Sequence, residues 1–186
     1  IYIELHSKRA WAPIGEPARL HHSGVLEQRC SLTLLTNLSP RSYLDEVVSP
    51  IIFDYRENSN TAFDFAQLLN NLVDSKAIFP GTFLIMDNAA VHNDNPATQA
   101  AFDRLTDYGV HIRRLPTYSP ELNPCELVFA QIKNYLRTAP RRLLDNMGRL
   151  VDIPFSERLN DAMSRVTFQT VDLYYNKCKR AEKHRR

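Results

Sequence analysis

Short apolar runs alternate with longer amphipathic stretches along the chain, and that alternation predicts its elements. Residues 29–38 (RCSLTLLTNL) and 50–56 (PIIFDYR) are rich in the β-branched, leucine and aromatic side chains that suit strands. From residue 62, apolar side chains recur at 62, 65, 66, 69, 72 and 73, the stripe of an amphipathic helix. Residues 82–87 (TFLIMD) are almost wholly apolar, the pattern of a central buried strand, with Asp87 at its carboxyl end. Residues 96–109 open on proline, repeat apolar positions at 97, 101, 105 and 108 and finish on glycine, so a helix is predicted. VHIRRL (110–115) follows as a strand, and a helix runs from Pro124 to about Arg137. Helical segments near 156–165 and 168–182 complete the order. Toward the start, residues 1–5 suit a short strand, 9–18 a Pro- and Gly-bearing bend and 40–48 a connection.

Strands followed by alternating helix, strand and helix predict an α/β domain, a mixed sheet with helices on its faces. The 186 residues, 44% hydrophobic and 24% charged, are enough for one domain with a sizeable core. Lys plus Arg number 23 against 21 Asp plus Glu, and this near balance neither demands nor excludes a nucleic-acid partner. The cations are uneven, with basic stretches at 133–142 and 176–186; the second reads equally as a solvated tail or a phosphate-binding one. Three widely spaced cysteines without a CxxC pair argue against a disulfide framework or a zinc site and favour a reducing, intracellular setting. No apolar run approaches the ~18 residues of a membrane span, so no membrane partner is expected. The chain begins IYIEL, in what reads as mid-strand, and is expected to be a fragment with its first strand incomplete.

Two carboxylates carry the candidate chemistry. Asp87 ends the most apolar strand, in LIMDNAAVH, and two readings stand: a cap for the turn after the strand, or a carboxylate aimed from the sheet edge at a cation. Glu126 follows Asn123 and Pro124 in NPCE. That pattern places Asn123 at the N-cap, Pro124 at N1 and Glu126 at N3, a capping box. The helix N-terminus also favours a negative charge there, which suits a divalent-metal ligand. The long specified turn LPTYSPELNP before it is more sequence than capping requires.

IMDNAAVH together with GVHIRRLPTYSPELNPCELVFAQIKNYLR resembles the DDE-type transposases of the mariner superfamily, whose hallmarks are a D-N-A-x-x-H stretch and L-P-x-Y-S-P-x-L-N-P-x-E before an aromatic- and lysine-bearing helix. The second motif is highly specific; the first alone would be weak. The resemblance covers most of the chain, RAWAPIGEPA matching the segment after the family's first catalytic strand. It implies a ribonuclease-H-like mixed sheet flanked by helices, with residues 1–150 as a partial catalytic domain and 151–186 as C-terminal helices and a basic tail of the same domain. Asp87 and Glu126 match the second and third catalytic, metal-binding acids, at a spacing slightly wider than the family's usual one. Asn88, His92 and Asn123 would support them, although His92 also reads as a plain turn residue, and Trp11 reads as packing. Lys133 and Arg137, on one helical face at i and i+4, could contact DNA phosphates or simply be solvated.

The resemblance implies in-line phosphodiester cutting and joining with two Mg²⁺ or Mn²⁺ ions, for which carboxylates from separate elements are the fitting ligands. Its partners would be transposon-end and target DNA and a second copy in a homodimer, with a nuclear location if the source is a eukaryote. The first catalytic acid does not carry over: Glu4 lies too near Trp11, and Asp54 falls in the wrong part of the order. A degenerate or domesticated transposase domain that binds DNA or protein without catalysis is therefore the alternative. A different ribonuclease-H-like nuclease is a further one, against which the YSPELNP turn argues.

Overall fold

A computed structural model describes residues 30–38, 49–88 and 95–183. The expectations for residues 1–5, 9–18 and 40–48, and for Glu4, Trp11 and His92, lie outside these described residues. Within them the order is β1 (Ser31–Thr36), β2 (Ile51–Arg56), α1 (Ala62–Asp74), β3 (Phe83–Met86), α2 (Pro96–Asp107), β4 (His111–Arg114), a 3₁₀ turn (Pro120–Leu122), α3 (Pro124–Thr138), β5 (Arg142–Leu144), β6 (Leu150–Asp152), α4 (Phe155–Ser164) and α5 (Phe168–Lys183). The fold is mixed α/β.

Pairing is antiparallel for β1 with β2 and parallel for β3 with β4, so both kinds expected of a mixed sheet are present. Among the described residues they remain separate two-stranded pieces. The β1–β2 pair is covered from both sides because its residues alternate in direction. Leu32, Leu34 and Ile51 pack with Val128, Ile132 and Leu136 of α3 and with Leu159, Met163 and Val171 of α4 and α5. Leu35 and Ile52, on the other face, pack against a second core built from α1, β3, α2 and β4. Val128, Ile132 and Leu136 are wholly enclosed, and each such burial stabilises the fold by roughly 1.5–3 kcal/mol.

The expectation that β3 is buried on both faces needs correction. Leu84 and Met86 face the second core, but Phe83 is 61% and Ile85 58% exposed. The physical reason lies in the layers: α1 and α2 supply one apolar face, and among the described residues β3 pairs only with β4. A second difference is the β5–β6 hairpin, which was not anticipated. Asp145 turns it by accepting from the Met147 and Arg149 amides, and Gly148 adopts φ +72°. All six of its strand residues are exposed.

Helix α1 starts with a reciprocal cap. The Thr61 amide donates to the Asp64 carboxylate (2.9 Å), and the Asp64 amide donates to the Thr61 hydroxyl (3.2 Å). Hydrogen bonds from the Thr61 side chain and backbone, with Arg56 adding a smaller attraction, hold the Asp64 carboxyl below the ordinary carboxylate range. A depressed folded-state value stabilises the fold above the ordinary range and ceases to do so as pH falls through the folded value. The first turn of α1 is therefore expected to loosen below about pH 4, read as an inflection in the Thr61 amide shift during an NMR titration. In Asp64→Asn that inflection should vanish; its persistence would assign it to another group.

Candidate active site at the carboxyl end of the parallel pair

Strand β3 ends at Met86, and the chain leaves it through Asp87 and Asn88. Three hydrogen bonds fix this exit against the exit of β4. The Leu115 amide donates to the Met86 carbonyl (2.8 Å), the Asn88 side-chain amide to the Leu115 carbonyl (2.7 Å) and the Arg114 guanidinium to the Asp87 carbonyl (3.3 Å). Asn88 thus positions the strand end that carries Asp87. Arg114, which the sequence reading passed over, does the same while its guanidinium lies 5.4 Å from the centre of the Phe102 ring. The adjacent Arg-Arg pair before Leu115 was the available signal.

From β4 the chain crosses Pro116, Thr117, Tyr118 and Ser119 to the 3₁₀ turn. Tyr118 has a left-handed backbone, φ +55°, a conformation that strains a non-glycine residue by about 1–3 kcal/mol. The surrounding turn holds it there. Ser119 is buried and its hydroxyl donates to the Thr117 carbonyl (3.1 Å), while the Leu122 amide returns to the Ser119 carbonyl (3.1 Å).

The start of α3 corrects the expected capping box. Asn123 is the N-cap and Pro124 opens the helix, as predicted, but the Asn123 side chain accepts from the Cys125 amide (3.1 Å). A full box would also send the Asn123 amide to the Glu126 carboxylate. That amide donates instead to the Pro120 carbonyl of the 3₁₀ turn (3.0 Å). The Pro-rich turn therefore takes over the role expected of Glu126, whose exposed side chain lines a cleft.

That cleft, about 370 Å³ in volume, is lined by Asp87 and Asn88 from the β3 exit, by residues 115–120 from the turn, and by Asn123 and Glu126 from the α3 start. The two acids chosen from sequence thus meet in one depression. Beneath them lies Cys125, its thiol 3.6 Å from the Leu34 carbonyl and 3.8 Å from the Thr36 hydroxyl. Burial pushes that thiol up to about 11, with Glu126 and Asp87 adding in the same direction, so it stays neutral beside the two carboxylates. Lys133 and Arg137 do not line the cleft. They continue the face of α3 that bears Glu126, about 10 and 16 Å further along the axis at 1.5 Å per residue. Arg137 is exposed and donates to Asn134 (3.3 Å). Among the described residues no group of three or more His, Cys, Asp or Glu side chains gathers as a metal cluster.

An α/β domain that brings two acids from a strand end and a helix start into one cleft has the layout of carboxylate-dependent enzymes acting on phosphodiesters as a class. The chain belongs to the DDE superfamily endonucleases, whose family model matches residues 4–150. No curated protein matches it. Among the described residues, no helix is long and apolar enough to cross a membrane.

Proposed function

We propose that the chain carries catalytic-domain sequence of a mariner-type DNA transposase, ribonuclease-H-like in arrangement, in which Asp87 and Glu126 are two of the three acids that serve phosphodiester cleavage and strand joining. The observation that carries this reading is the convergence of both acids on one cleft within a chain of the DDE endonuclease family. The donor chemistry fits Mg²⁺ or Mn²⁺: among the described residues the lining offers carboxylate, amide and hydroxyl oxygens, and neither histidine nor cysteine. Asp87 and Glu126 would hold the metal, which when bound in a pair supplies Lewis-acid stabilisation to the attacking and leaving oxygens of an in-line displacement. The protein's own part is positional. Asn88 and Arg114 fix the end of β3, the 3₁₀ turn and Asn123 fix the start of α3, and the two acids thereby reach the same lining from separate elements.

DNA would run from the cleft along α3, with Lys133 and Arg137 on phosphates. Helices α4 and α5 share a core with α3, which supports reading residues 151–186 as part of the same domain. In the full reaction the protein would act as a homodimer on transposon ends and target DNA, in the nucleus if its source is a eukaryote. A non-catalytic, DNA-binding descendant is the second reading, favoured by one observation: among the described residues, the cleft lining has two acids, without a third.

Strand nicking or 3′-end joining by an upstream-extended chain on transposon-like ends, with Mg²⁺ or Mn²⁺ against a chelator control, separates the two. Metal-dependent products support the catalytic reading; DNA binding without products supports the second. Either way, Lys133→Ala and Arg137→Ala should weaken binding across sequences, each reducing the steepness of log affinity against log salt by about 1. An unchanged salt slope in both variants would remove α3 from the DNA path.

A further inference from the structure

Tyr118 is placed at odds with its own chemistry in two independent ways. Its backbone occupies the left-handed region that glycine adopts without strain, and its side chain is 96% exposed. Helix capping explains neither, because the amides that return to the 3₁₀ turn belong to Leu122 and Asn123. The buried Ser119 and the flanking Pro116 and Pro120 restrict the turn, so the ring is held outward by a braced backbone. It stands on the lining of the same cleft as Asp87 and Glu126.

The ring stands on the lining beside both acids, so a phosphate that reaches them brings its own nucleotide close to the ring. A base offers a π-face to a side chain only where it is not already stacked and paired within a duplex. A tyrosine ring there offers a flat apolar face, and stacking on such a face tolerates any base because every base has a π-surface.

We propose that Tyr118 is a stacking platform for an unpaired nucleobase next to the phosphodiester that enters the cleft. The inference rests on the nucleic-acid reading of the cleft and deepens it: the substrate is engaged where its strands are already separated, at a frayed or single-stranded end. Tyr118 is a substrate-binding residue that sets which nucleotide faces the two carboxylates.

The test is fluorescence anisotropy of the 186-residue chain with a labelled single-stranded oligonucleotide, in metal-free buffer, against the same oligonucleotide with abasic sites. The original chain should bind the base-bearing strand roughly 5- to 100-fold more tightly than the abasic one. Tyr118→Phe should retain that preference. Tyr118→Leu and Tyr118→Gly should bind both strands alike, at the abasic level. The glycine variant guards against misfolding as an explanation, since it relieves the left-handed backbone and its melting temperature should not fall. Indifference of the original chain to base removal, or a preference that survives in Tyr118→Gly, overturns the inference. If binding then still depends on Lys133 and Arg137, the reading of the cleft stands without the platform. Absence of any nucleic-acid binding overturns both.

Discussion

Glu126→Gln is expected to lower the Mg²⁺- or Mn²⁺-dependent strand cleavage of an upstream-extended chain by about a thousandfold or more, as loss of several kcal/mol of transition-state stabilisation requires. Its effect on stability should be small. The Glu126 side chain is exposed, and the capping work at the start of α3 is done by Asn123 and the 3₁₀ turn. What remains is the interaction of one charge with a helix N-terminus, about 0.3–1 kcal/mol. Asp87→Asn should match it in activity, and the double variant should be no worse than either single one, because groups that act as a unit lose their effect together. Calorimetric Mn²⁺ titration gives a readout independent of turnover: heat of binding in the original chain, and little in either variant. Cleavage that survives in Glu126→Gln or Asp87→Asn would remove the pair from the chemistry.

Arg158→Ala is expected to cost about 3 kcal/mol in urea unfolding. Arg158 is only 7% exposed, and its guanidinium donates to the Leu136 carbonyl at 2.6 Å. Leu136 lies in the last turn of α3, where carbonyls have no partner within the helix. The arginine therefore ties α4 to the end of α3 by a charge-assisted bond inside the core. Arg158→Met separates the two contributions. It keeps most of the volume but leaves the carbonyl unanswered, so roughly half the loss should remain. Equal stability of the methionine variant and the original chain would mean that packing alone accounts for the effect. The acids sit at the opposite end of α3, so neither variant should alter DNA binding by the folded protein.

Arg158 also marks where sequence reading reached its limit. The amphipathic stripe of α4 places position 158 among apolar neighbours, a visible signal, yet charged side chains on such stripes usually extend to solvent. Only the facing carbonyl of another helix explains its burial. The strands flanking the site and helix α3 were legible because each has a clean period and a clear boundary, Asn123 and Pro124 above all. The membership of the chain was legible in LPTYSPELNPCE, where many specified residues fall in one run. Less legible was the destination of individual bonds: the Asn123 amide turns back to Pro120, a choice that depends on turn geometry rather than residue type. The exposure of Phe83 and Ile85 was hidden for a similar reason, since an apolar run states what a strand could bury and not how many layers surround it.

The β5–β6 hairpin bears on how the protein behaves in bulk. Leu143 opposes Val151 on one face and Leu144 opposes Leu150 on the other, with Met147 exposed at the turn. Among the described residues neither strand pairs with a third. Such a ribbon exposes leucine and valine on both faces, and the charged guard among its strand residues is the cross-strand Arg142–Asp152 pair (2.6 Å) beside Leu144 and Leu150, while exposed strand edges of this kind template edge-to-edge growth. Colloidal behaviour at high concentration, and the upper limit of protein in a clear solution, are therefore expected to depend on a segment that has no share in either core.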